Sequence, residues 1–334
     1  MSVVLTGSIA YDYIMSFPGY FKDHILPEKI HEISVSFLVD SMKKQRGGIA
    51  TNIAYNLALL GERPKIMATV GEDFEDYRRW LERHSIDTSA IIAVPNEFTA
   101  SFFVSTDKEQ NQIASFYTGA MAHARLVSFK DHVSGDIELA VISPNDPGAM
   151  VQYVAECKEL GIPYIYDASQ QIIRLDGKDL REGCRDSKMI ILNDYELSML
   201  QNKTGWSRDE IAAQTETLIV TYGEKGSTIT HAGHTIQIPV APPRQIGEPT
   251  GAGDAYRAGI IKGVMHNFSW EFTGRLGSLA ATYALEETGT QNHRYELAEF
   301  VERFRQEFGE WEELEKFEIP KAKFEIPNSQ AEAF

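Results

Sequence analysis

Residues 139–166, with the sequence LAVISPNDPGAMVQYVAECKELGIPYIY, contain the pattern that decides the fold class. Short apolar runs at Leu139–Ile142 and Pro163–Tyr166 are typical of buried strands. They flank a helical pattern at Ala149–Leu160 that Gly161 ends. A strand, a helix and a second strand in this order predict a right-handed crossover between parallel strands. The stretch therefore indicates an α/β fold.

The same alternation of strands and helices continues on both sides of this stretch. The other strands that short β-branched runs predict are Val3–Gly7, Lys65–Val70, Met189–Leu192 and Leu218–Tyr222. The other helices that apolar periodicity predicts are Ile49–Leu60, Phe74–His84, Asp254–Met265, Glu271–Glu286 and Glu296–Phe308. We therefore expect three layers, α/β/α, in which helices cover both faces of a mostly parallel central sheet.

Two segments interrupt this alternation. Residues 13–45 contain extended pieces and little helical pattern, and residues 96–120 contain a predicted hairpin at Ala100–Tyr117 with the polar turn DKEQ. Together these segments are predicted to form a small β-sheet lid, and the alternative is an extension at the edge of the main sheet. The main domain then comprises residues 1–12, 46–95 and 121–310.

The C-terminal segment, residues 311–334, repeats a short motif. The sequence KFEIP occurs at Lys316–Pro320 and again at Lys323–Pro327. Proline is unfavourable inside helices and central strands. We therefore predict an extended tail that packs on a surface and has no chemical role.

The composition excludes some classes of function. The 334-residue chain has 48 Asp and Glu against 32 Lys and Arg, a formal net charge of −16. A general basic surface for nucleic acid is therefore not expected. An anion bound by such a chain must be held locally, by backbone amides, a cation or a few placed basic side chains.

Cysteine usage and hydropathy indicate the compartment. The two cysteines, Cys157 and Cys184, do not have the spacing of a metal or redox motif, which favours a reducing compartment. The N-terminal residues lack a basic region followed by a long apolar run, and no run approaches about 18 apolar residues. We therefore expect a cytoplasmic protein without a membrane partner.

The stretch Gly251-Ala252-Gly253-Asp254 opens a predicted helix. It is neither a Walker-type phosphate loop nor a dinucleotide fingerprint. Free N–H groups at a helix start attract anions, and glycine lets a ligand approach the backbone closely. A carboxylate beside such an anion hole suits phosphoryl transfer to an alcohol, with Asp254 accepting the hydroxyl proton. The alternative is an ordinary acidic residue in the first turn of a helix.

A second stretch, Arg46–Gly61, has the sequence RGGIATNIAYNLALLG. A glycine pair precedes an amphipathic helix, and Asn52 lies in its first turns. An asparagine amide offers both a donor and an acceptor, which suits two neighbouring hydroxyl groups. The alternative is a polar residue on the exposed side of an ordinary helix.

Together these two stretches resemble the ribokinase-like (PfkB) family of carbohydrate and nucleoside kinases. The motifs that match are Gly47-Gly48 with Asn52 and Gly251–Asp254, and three weaker ones follow the family order at Asn193–Glu196, Thr221–Gly226 and Gly289–Gln291. The resemblance covers nearly the whole chain. It implies a ribokinase-like fold, catalysis by Asp254 with an anion hole of Gly251, Ala252 and Gly253, ATP as donor, and magnesium. The residues that it places near ATP are Asn193, Thr221, Gly223, Gly226 and Gln291, with Glu196 near magnesium through water.

A closer resemblance is to adenosine kinases of the mycobacterial type. It rests on Gly7–Asp12, Ser34–Asp40, Ile113–Tyr117 and Asp167–Gln171. It implies phosphorylation of the 5′-hydroxyl of adenosine to give AMP, a role in purine salvage, and a homodimer joined through the lids. The candidate substrate-binding residues are Ser8, Asp12, Ser36, Gly48, Asn52, Phe102, Phe116, Gln170 and Gln171, and Arg174 is a candidate partner of the transferring phosphoryl group.

Two of these assignments also have a physical basis. Asp12 follows the first strand, at the carboxyl end of a parallel sheet, where ligands usually bind. Phe102 and Phe116 lie at matching distances from the hairpin turn, so a regular register turns both rings to one face. Such rings can sandwich a purine, and packing within the lid is the alternative.

One departure from the family concerns the residues before the anion hole. Glu248-Pro249-Thr250 stands where many members have Asp-Thr or Asp-Pro-Thr, a segment that often helps bind potassium. Glutamate is longer by one methylene, so a potassium ion is a less secure expectation than magnesium. The competing functions are a sugar kinase for ribose or fructose, a kinase for another nucleoside, and a non-catalytic nucleoside-binding protein.

Overall fold

The central strands are apolar on both faces, because helices cover each side of the sheet. The computed structural model describes residues 2–32, 34–132 and 137–317. In chain order its strands are β1 Val3–Thr6, β2 Ala10–Ser16, β3 Ser41–Gly47, β4 Lys65–Val70, β5 Asp87–Ala93, β6 Ala100–Thr106, β7 Gln112–Tyr117, β8 Leu139–Ile142, β9 Tyr164–Tyr166, β10 Met189–Asn193, β11 Thr217–Thr221, β12 Ser227–His231 and β13 His234–Ile238.

The helices lie mainly between these strands and at the C-terminal end. They are α1 Ile49–Leu59, α2 Glu75–Arg83, α3 Phe129–His132, α4 Pro147–Leu160, α5 Gly177–Cys184, α6 Asp194–Thr204, α7 Arg208–Ala212, α8 Ala252–Met265, α9 Trp270–Leu285, α10 Leu297–Phe308 and α11 Glu313–Phe317. Among the described residues, no helix combines the length and the apolar character that crossing a membrane requires.

The main sheet has nine strands in the order β13-β12-β11-β10-β9-β8-β1-β4-β5. Neighbouring strands pair in parallel along the part of the sheet that runs β5-β4-β1-β8-β9-β10-β11. Strands β12 and β13 add an antiparallel hairpin at the β11 edge. Parallel pairing brings the carboxyl ends of these strands to one edge of the sheet, where ligands bind in open α/β folds. The predicted ribokinase-like three-layer fold is confirmed.

Successive side chains of each strand point to opposite faces of the main sheet, so a hydrophobic core lies on each face. Val3 and Leu5 of β1 pack in the cluster that contains Phe272 of α9, whereas Val4 packs in the cluster that contains Tyr153 of α4. All three β1 side chains are at most 1% exposed. Burial on both faces explains why the strands read as continuous apolar runs in the sequence.

A second, four-stranded sheet has the order β3-β2-β6-β7. The pair β2–β6 is parallel, and the pairs β2–β3 and β6–β7 are antiparallel. This sheet is separate from the nine-stranded sheet, so the predicted lid is present and the alternative of an edge extension is wrong. Its first two strands in chain order, β2 and β3, extend the lid beyond the predicted residues 13–45, from Ala10 to Gly47. The division into domains stays a prediction.

Helices α8 and α9 lie in close contact. A Cβ atom on Gly259 of α8 would lie 2.5 Å from the backbone nitrogen of Gly277 in α9, closer than any side chain permits. The absence of side chains at both positions therefore allows the two helices to pack backbone to backbone. This contact sets the close approach of α9 to α8, which begins beside the candidate site.

The C-terminal prediction is wrong at its first repeat. Lys316 and Phe317 lie in helix α11, not in an extended segment. Leu314 and Phe317, three residues apart, are both buried, with exposures of 1% and 2%, and the ring of Phe317 stacks on Phe300. A helix turns both side chains toward the core. The rest of the predicted tail lies outside the described residues.

Candidate active site

Helix α8 begins at the carboxyl edge of the sheet with a left-handed glycine. Gly251 has φ 88°, a conformation that favours glycine, and the helix starts at Ala252. The amide of Ala252 donates to the carbonyl of Pro249 at 3.2 Å, so the preceding turn uses one of the predicted anion-hole groups. The amides that follow lie in the first helical turn, which has no preceding helical carbonyl to accept them. The helix start can therefore hold an anion.

The carboxylate of Asp254 lies in this first turn and is buried, with 9% exposure. Its Oδ2 accepts a hydrogen bond from Nδ2 of Asn52 at 2.8 Å. Burial raises the pKa of Asp254, whereas the positive charge of Arg257 and the Asn52 hydrogen bond lower it. The two candidate motifs, 202 positions apart in the sequence, therefore meet at one carboxylate.

Two charged residues that the sequence analysis did not assign complete this cluster. Arg257 donates from Nη2 to Oδ1 of Asp167 at 3.0 Å, and its Nε lies 2.5 Å from Oδ2 of the same carboxylate. Its Nη1 lies 3.8 Å from Oδ1 of Asp254. Asp167 follows β9 and is fully buried. Burial raises the pKa of Asp167 to about 6, against the opposing effect of Arg257.

The amide of Asn52 is held on both sides. While Nδ2 donates to Asp254, Oδ1 accepts from Nε2 of Gln291 at 2.7 Å. Nε2 of Gln291 also lies 2.7 Å from the hydroxyl of Tyr77, which in turn lies 3.0 Å from the carbonyl of Gly47. The structure thus places Gln291, a predicted ATP contact, in a buried network on the side of the Gly47-Gly48 motif.

The residues before α1 have a visible structural role. Gly48 has φ 100°, and a Cβ on it would lie 2.6 Å from the backbone of both Ser8 and Ala10. Oγ of Ser8 accepts a hydrogen bond from the amide of Ile49 at 3.1 Å, as a helix-capping side chain does. These contacts fix the start of α1 below the lid. A contact of Ser8 or Gly48 with a nucleoside stays a prediction.

One row of residues crosses the lid sheet from edge to edge. Gln45, Asp12, Phe102 and Phe116 are register partners on adjacent strands. Register partners point to the same side of a sheet, so both rings lie on one face, as the hairpin spacing predicts. Gln45 also approaches Gly289, because a Cβ on that glycine would lie 3.0 Å from Oε1 of Gln45. This face of the lid therefore looks toward the loop that follows α9.

Asp12 is the acidic member of this row. Its side chain is half-buried against Gly47, where a Cβ would lie 2.4 Å from Oδ2. Burial, reinforced by the negative charge of Glu248, raises the pKa of Asp12 to about 6. A carboxylate in this position can accept hydrogen bonds from a polar ligand below the lid.

Glu248 binds the loop that follows α9. Its Oε2 accepts a hydrogen bond from the amide of Gly289 at 3.1 Å. The carboxylate expected to help bind potassium is thus tied to a backbone donor in the described residues. Because this bond occupies one carboxylate oxygen, a potassium ion at Glu248 stays a less secure prediction than magnesium.

Apart from Gln291, the predicted ATP contacts lie together at the carboxyl edge of the sheet. Asn193 and Thr221, at the ends of β10 and β11, are register partners. After β11 the chain turns through Gly223, with φ 58°, and Gly226, with φ 82°. A Cβ on Gly223 would meet open space, whereas one on Gly226 would lie 2.1 Å from the carbonyl of Ile238. This loop therefore leaves room for a ligand on the Gly223 side.

The carboxylate of Glu196 is already hydrogen-bonded at both oxygens. Oε1 accepts from Oγ of Ser169 at 2.8 Å, and Oε2 accepts from the amide of Asn193 at 2.8 Å. No group of three or more His, Cys, Asp or Glu side chains in the described residues could hold a metal by itself. A contact of Glu196 with magnesium through water stays a prediction.

The structure does not bring the remaining candidates into this cluster. Gln170 and Arg174 are exposed, and Ser36 is exposed in a segment without regular structure. Gln171 is buried, and its Oε1 lacks a hydrogen-bond partner among the described residues. Their contacts with a ligand stay predictions.

Comparison with known proteins agrees with this geometry. A family model described as pfkB family carbohydrate kinase matches residues 11–296. The chain is 28% identical over 310 residues to a nucleoside kinase of Methanothermobacter thermautotrophicus, covering 92% of this chain and 96% of that relative.

Solved structures of nucleoside kinases are also similar to this chain. The chain is similar to a nucleoside kinase of Burkholderia thailandensis in complex with inosine, with 38% identity, 92% of this chain and 98% of that chain covered, and a TM-score of 0.82. It is also similar to the nucleoside kinase of Methanocaldococcus jannaschii, with 26% identity, coverages of 91% and 98%, and a TM-score of 0.81.

Proposed function

Because the chain belongs to the pfkB family of carbohydrate kinases, and is thus a phosphotransferase with an alcohol acceptor, we propose that it transfers the γ-phosphoryl group of ATP to the 5′-hydroxyl of a nucleoside. The observation that carries the proposal is the buried carboxylate of Asp254 at the start of α8, hydrogen-bonded to Asn52. A carboxylate held beside free helix amides provides a proton acceptor and an anion site in one turn.

In this proposal Asp254 accepts the proton of the attacking hydroxyl. The helix amides around Gly253 stabilise the charge on the transferred phosphoryl group. The ribose hydroxyls bind Asp12 and the Gly48–Asn52 turn. Closure of the lid excludes water, which suppresses hydrolysis of ATP.

A nucleoside is favoured over a free sugar by the lid. Phe102 and Phe116 offer two aromatic faces in the same row as Asp12, which suits a flat base attached to a ribose. The motifs favour adenosine as the acceptor and AMP as the product. The similar Burkholderia thailandensis protein was solved with inosine, so a second purine nucleoside has equal support.

ATP is proposed to lie along the edge formed by Asn193, Thr221 and the Gly223–Gly226 loop. Glu196 would hold magnesium through water. When bound, the ion supplies positive charge to the phosphate oxygens. The ends of β10 and β11 provide the surface on which the nucleotide rests.

Assembly and location complete the proposal. We propose a homodimer joined through the lids, since Met42, Phe103, Ile113 and Tyr117 expose apolar surface on the lid face that points away from Asp12. A cytoplasmic location is supported by the two free, buried cysteines, Cys157 and Cys184. A role in purine salvage would follow from a purine nucleoside as the acceptor.

One assay tests this function. Release of ADP from ATP is measured with adenosine, inosine, guanosine, cytidine, ribose and fructose as acceptors, with sodium or potassium as the monovalent cation. The expected result is the highest kcat/KM with a purine nucleoside, an identified 5′-monophosphate, and no requirement for potassium. A preference for ribose or fructose would instead identify a sugar kinase. No ADP release with any acceptor would favour a binding protein.

A further inference from the structure

Arg257 places a cation where the proposed transferring phosphoryl group would lie. Its side chain is 12% exposed. A Cβ atom on Gly253 would lie 2.9 Å from Nη1 of Arg257, so the guanidinium packs against the backbone of that glycine. Gly253 belongs to the helix start that can hold an anion. The cation and the anion site are therefore in direct contact.

This position is unfavourable for a positive charge unless anions surround it. A helix start carries a partial positive charge, and a cation there is repelled by the helix dipole. In the structure, Asp167 and Asp254 supply the negative charge that Arg257 needs. A buried arginine held by carboxylates at a helix start is thus also positioned for an incoming phosphate, with which guanidinium pairs strongly.

The hydrogen-bonding capacity of Arg257 is incompletely used. A guanidinium has five N–H donors. The bond from Nη2 to Asp167 has good geometry, whereas Nε, although close to Oδ2, makes no hydrogen bond of acceptable geometry with any described residue. Nη1 is 3.8 Å from Asp254, which is beyond hydrogen-bond distance. Nε and Nη1 therefore both have spare capacity, and Nη1 is the one that lies against Gly253.

We propose that Arg257 is a catalytic residue that donates from Nη1 to a non-bridging oxygen of the transferring phosphoryl group. The inference rests on the proposed function. The bond between the acceptor oxygen and phosphorus forms while the bond from phosphorus to the bridging oxygen of ADP breaks, and that oxygen keeps the electron pair. The hydroxyl proton passes to Asp254. Arg257 then stabilises both the phosphoryl charge and the ionised form of the neighbouring base.

Asp167 has a supporting part in this arrangement. It is fully buried and binds the other edge of the guanidinium, so it fixes the plane in which Nη1 points at the helix start. Arg174, which the sequence analysis proposed for the phosphoryl contact, is exposed at the end of a turn of 3-10 helix that covers Ser169–Ile173. Arg257 is therefore the better placed of the two arginines in this structure.

The test compares Arg257→Gln and Arg257→Lys with the wild-type enzyme. Loss of one preorganised donor to developing charge lowers turnover about 10²–10³-fold. We expect this loss in kcat for Arg257→Gln with adenosine or inosine, a KM for the nucleoside within about threefold of wild type, and partial recovery in Arg257→Lys. Since Arg257 lowers the pKa of Asp254, the acid limb of the kcat profile should also move to higher pH in Arg257→Gln.

Arg303→Gln is a matched control. Arg303 is also buried and donates to Glu286 at 2.8 Å and 2.6 Å, outside the cluster around Asp254. It should lower the melting temperature and leave the kcat of the folded enzyme and its pH profile unchanged. Nucleoside binding by calorimetry should persist in both Arg257 variants.

The outcomes separate the two proposals. If the wild-type enzyme phosphorylates no nucleoside, the proposed function is wrong. If it does, and Arg257→Gln retains a kcat within about threefold of wild type with an unshifted acid limb, the role of Arg257 is overturned. If Arg257→Gln does not fold, Arg257→Lys decides, because full turnover without the planar fork would contradict a directed Nη1 contact.

Discussion

At the scale of single residues, the site is a line of buried charges. The guanidinium of Arg257 lies between the carboxylates of Asp167 and Asp254. Asn52 donates a hydrogen bond to the other oxygen of Asp254. Buried carboxylates are costly unless they are paired and hydrogen-bonded. The cluster therefore keeps an ionised acid in a place that would otherwise favour its neutral form.

Replacing this acid tests its role directly. Asp254→Asn keeps the shape and can still bond to Asn52, but it cannot accept a proton. A general base contributes about 10²–10⁴-fold to turnover, so we expect kcat to fall by that factor. Because burial penalises the charge of Asp254, the melting temperature should not fall. Nucleoside affinity from calorimetry should persist, and near-normal turnover would contradict the assignment.

The acid in the lid predicts a dependence on pH. The pKa of Asp12 is raised to about 6, so its carboxylate accepts ribose hydroxyls above pH 6 and loses that capacity as the pH falls through this value. The KM for the nucleoside should therefore rise below pH 6. The sign for stability is opposite, because protonation removes the cost of a buried charge. In Asp12→Asn, the KM should be higher and should no longer change near pH 6; an unaltered profile would count against this role.

Only part of this site can be predicted from the sequence, because some of its residues are far apart along the chain. Asp254 and Asn52 stand out because each follows glycines at a helix start. Arg257 lies three positions after Asp254 on α8, a spacing that predicts contact on one helix face. Its partner Asp167 is 90 positions away, and only the parallel packing of β9 beside β10 brings it to the same edge.

At the scale of elements, the alternating direction of side chains along the lid strands separates the two proposed functions of the lid sheet, ligand binding and dimer formation. One face carries Asp12 with Phe102 and Phe116, and the other carries Tyr13 stacked on Phe103 at 4.8 Å. Successive residues of a strand point to opposite faces. A single short hairpin can thus line a ligand site on one side and an interface on the other.

Truncating the inner rings should weaken binding of the base. Stacking of a base on an aromatic ring is worth about 1–3 kcal/mol. Phe102→Ala is therefore expected to raise the KM for a purine nucleoside about tenfold, with a smaller effect from Phe116→Ala because that ring is 48% exposed. Phe103→Ala, on the opposite face, should leave this KM unchanged. Equal effects of Phe102→Ala and Phe103→Ala would show that the rings act only through lid stability.

Many strands of both sheets can be predicted from the sequence. The strands Lys65–Val70 and Leu139–Ile142 and the hairpin strands β6 and β7 lie where β-branched runs predict them. Strand β5 and the hairpin of β12 and β13 were not predicted. The latter had a signal in the alternating Thr and Ile residues on either side of Ala232-Gly233, where both turn residues have positive φ.

At the scale of the whole molecule, a net charge of −16 surrounds the site proposed to bind ATP. In this proposal the positive potential at the phosphates is local, from the start of α8, Arg257 and magnesium. The predicted lid dimer belongs to this scale as well, because the apolar face of the lid would be covered only by a second copy of the chain. Sequence pattern identifies such a face as apolar but does not identify its partner.

The dimer prediction has a direct test. Ile113 is 43% exposed on the outer face of the lid, and Ile113→Lys places a charge where a second lid would pack. We expect the wild-type enzyme to sediment as a dimer and this variant as a monomer. Val151→Lys, at a position of 39% exposure on α4, should remain a dimer. A wild-type monomer, or dissociation of both variants, would contradict an interface confined to the lid.

The backbone contact between Gly259 and Gly277 has a consequence for how such an enzyme can diversify. Since α8 and α9 touch without intervening side chains, a larger residue at either glycine would displace the helix that carries Asp254. We therefore expect changes of acceptor during evolution to arise in the lid and the loops, while the reaction centre keeps its place. The same close contact makes this helix pair a poor target for substitutions intended to broaden the substrate range.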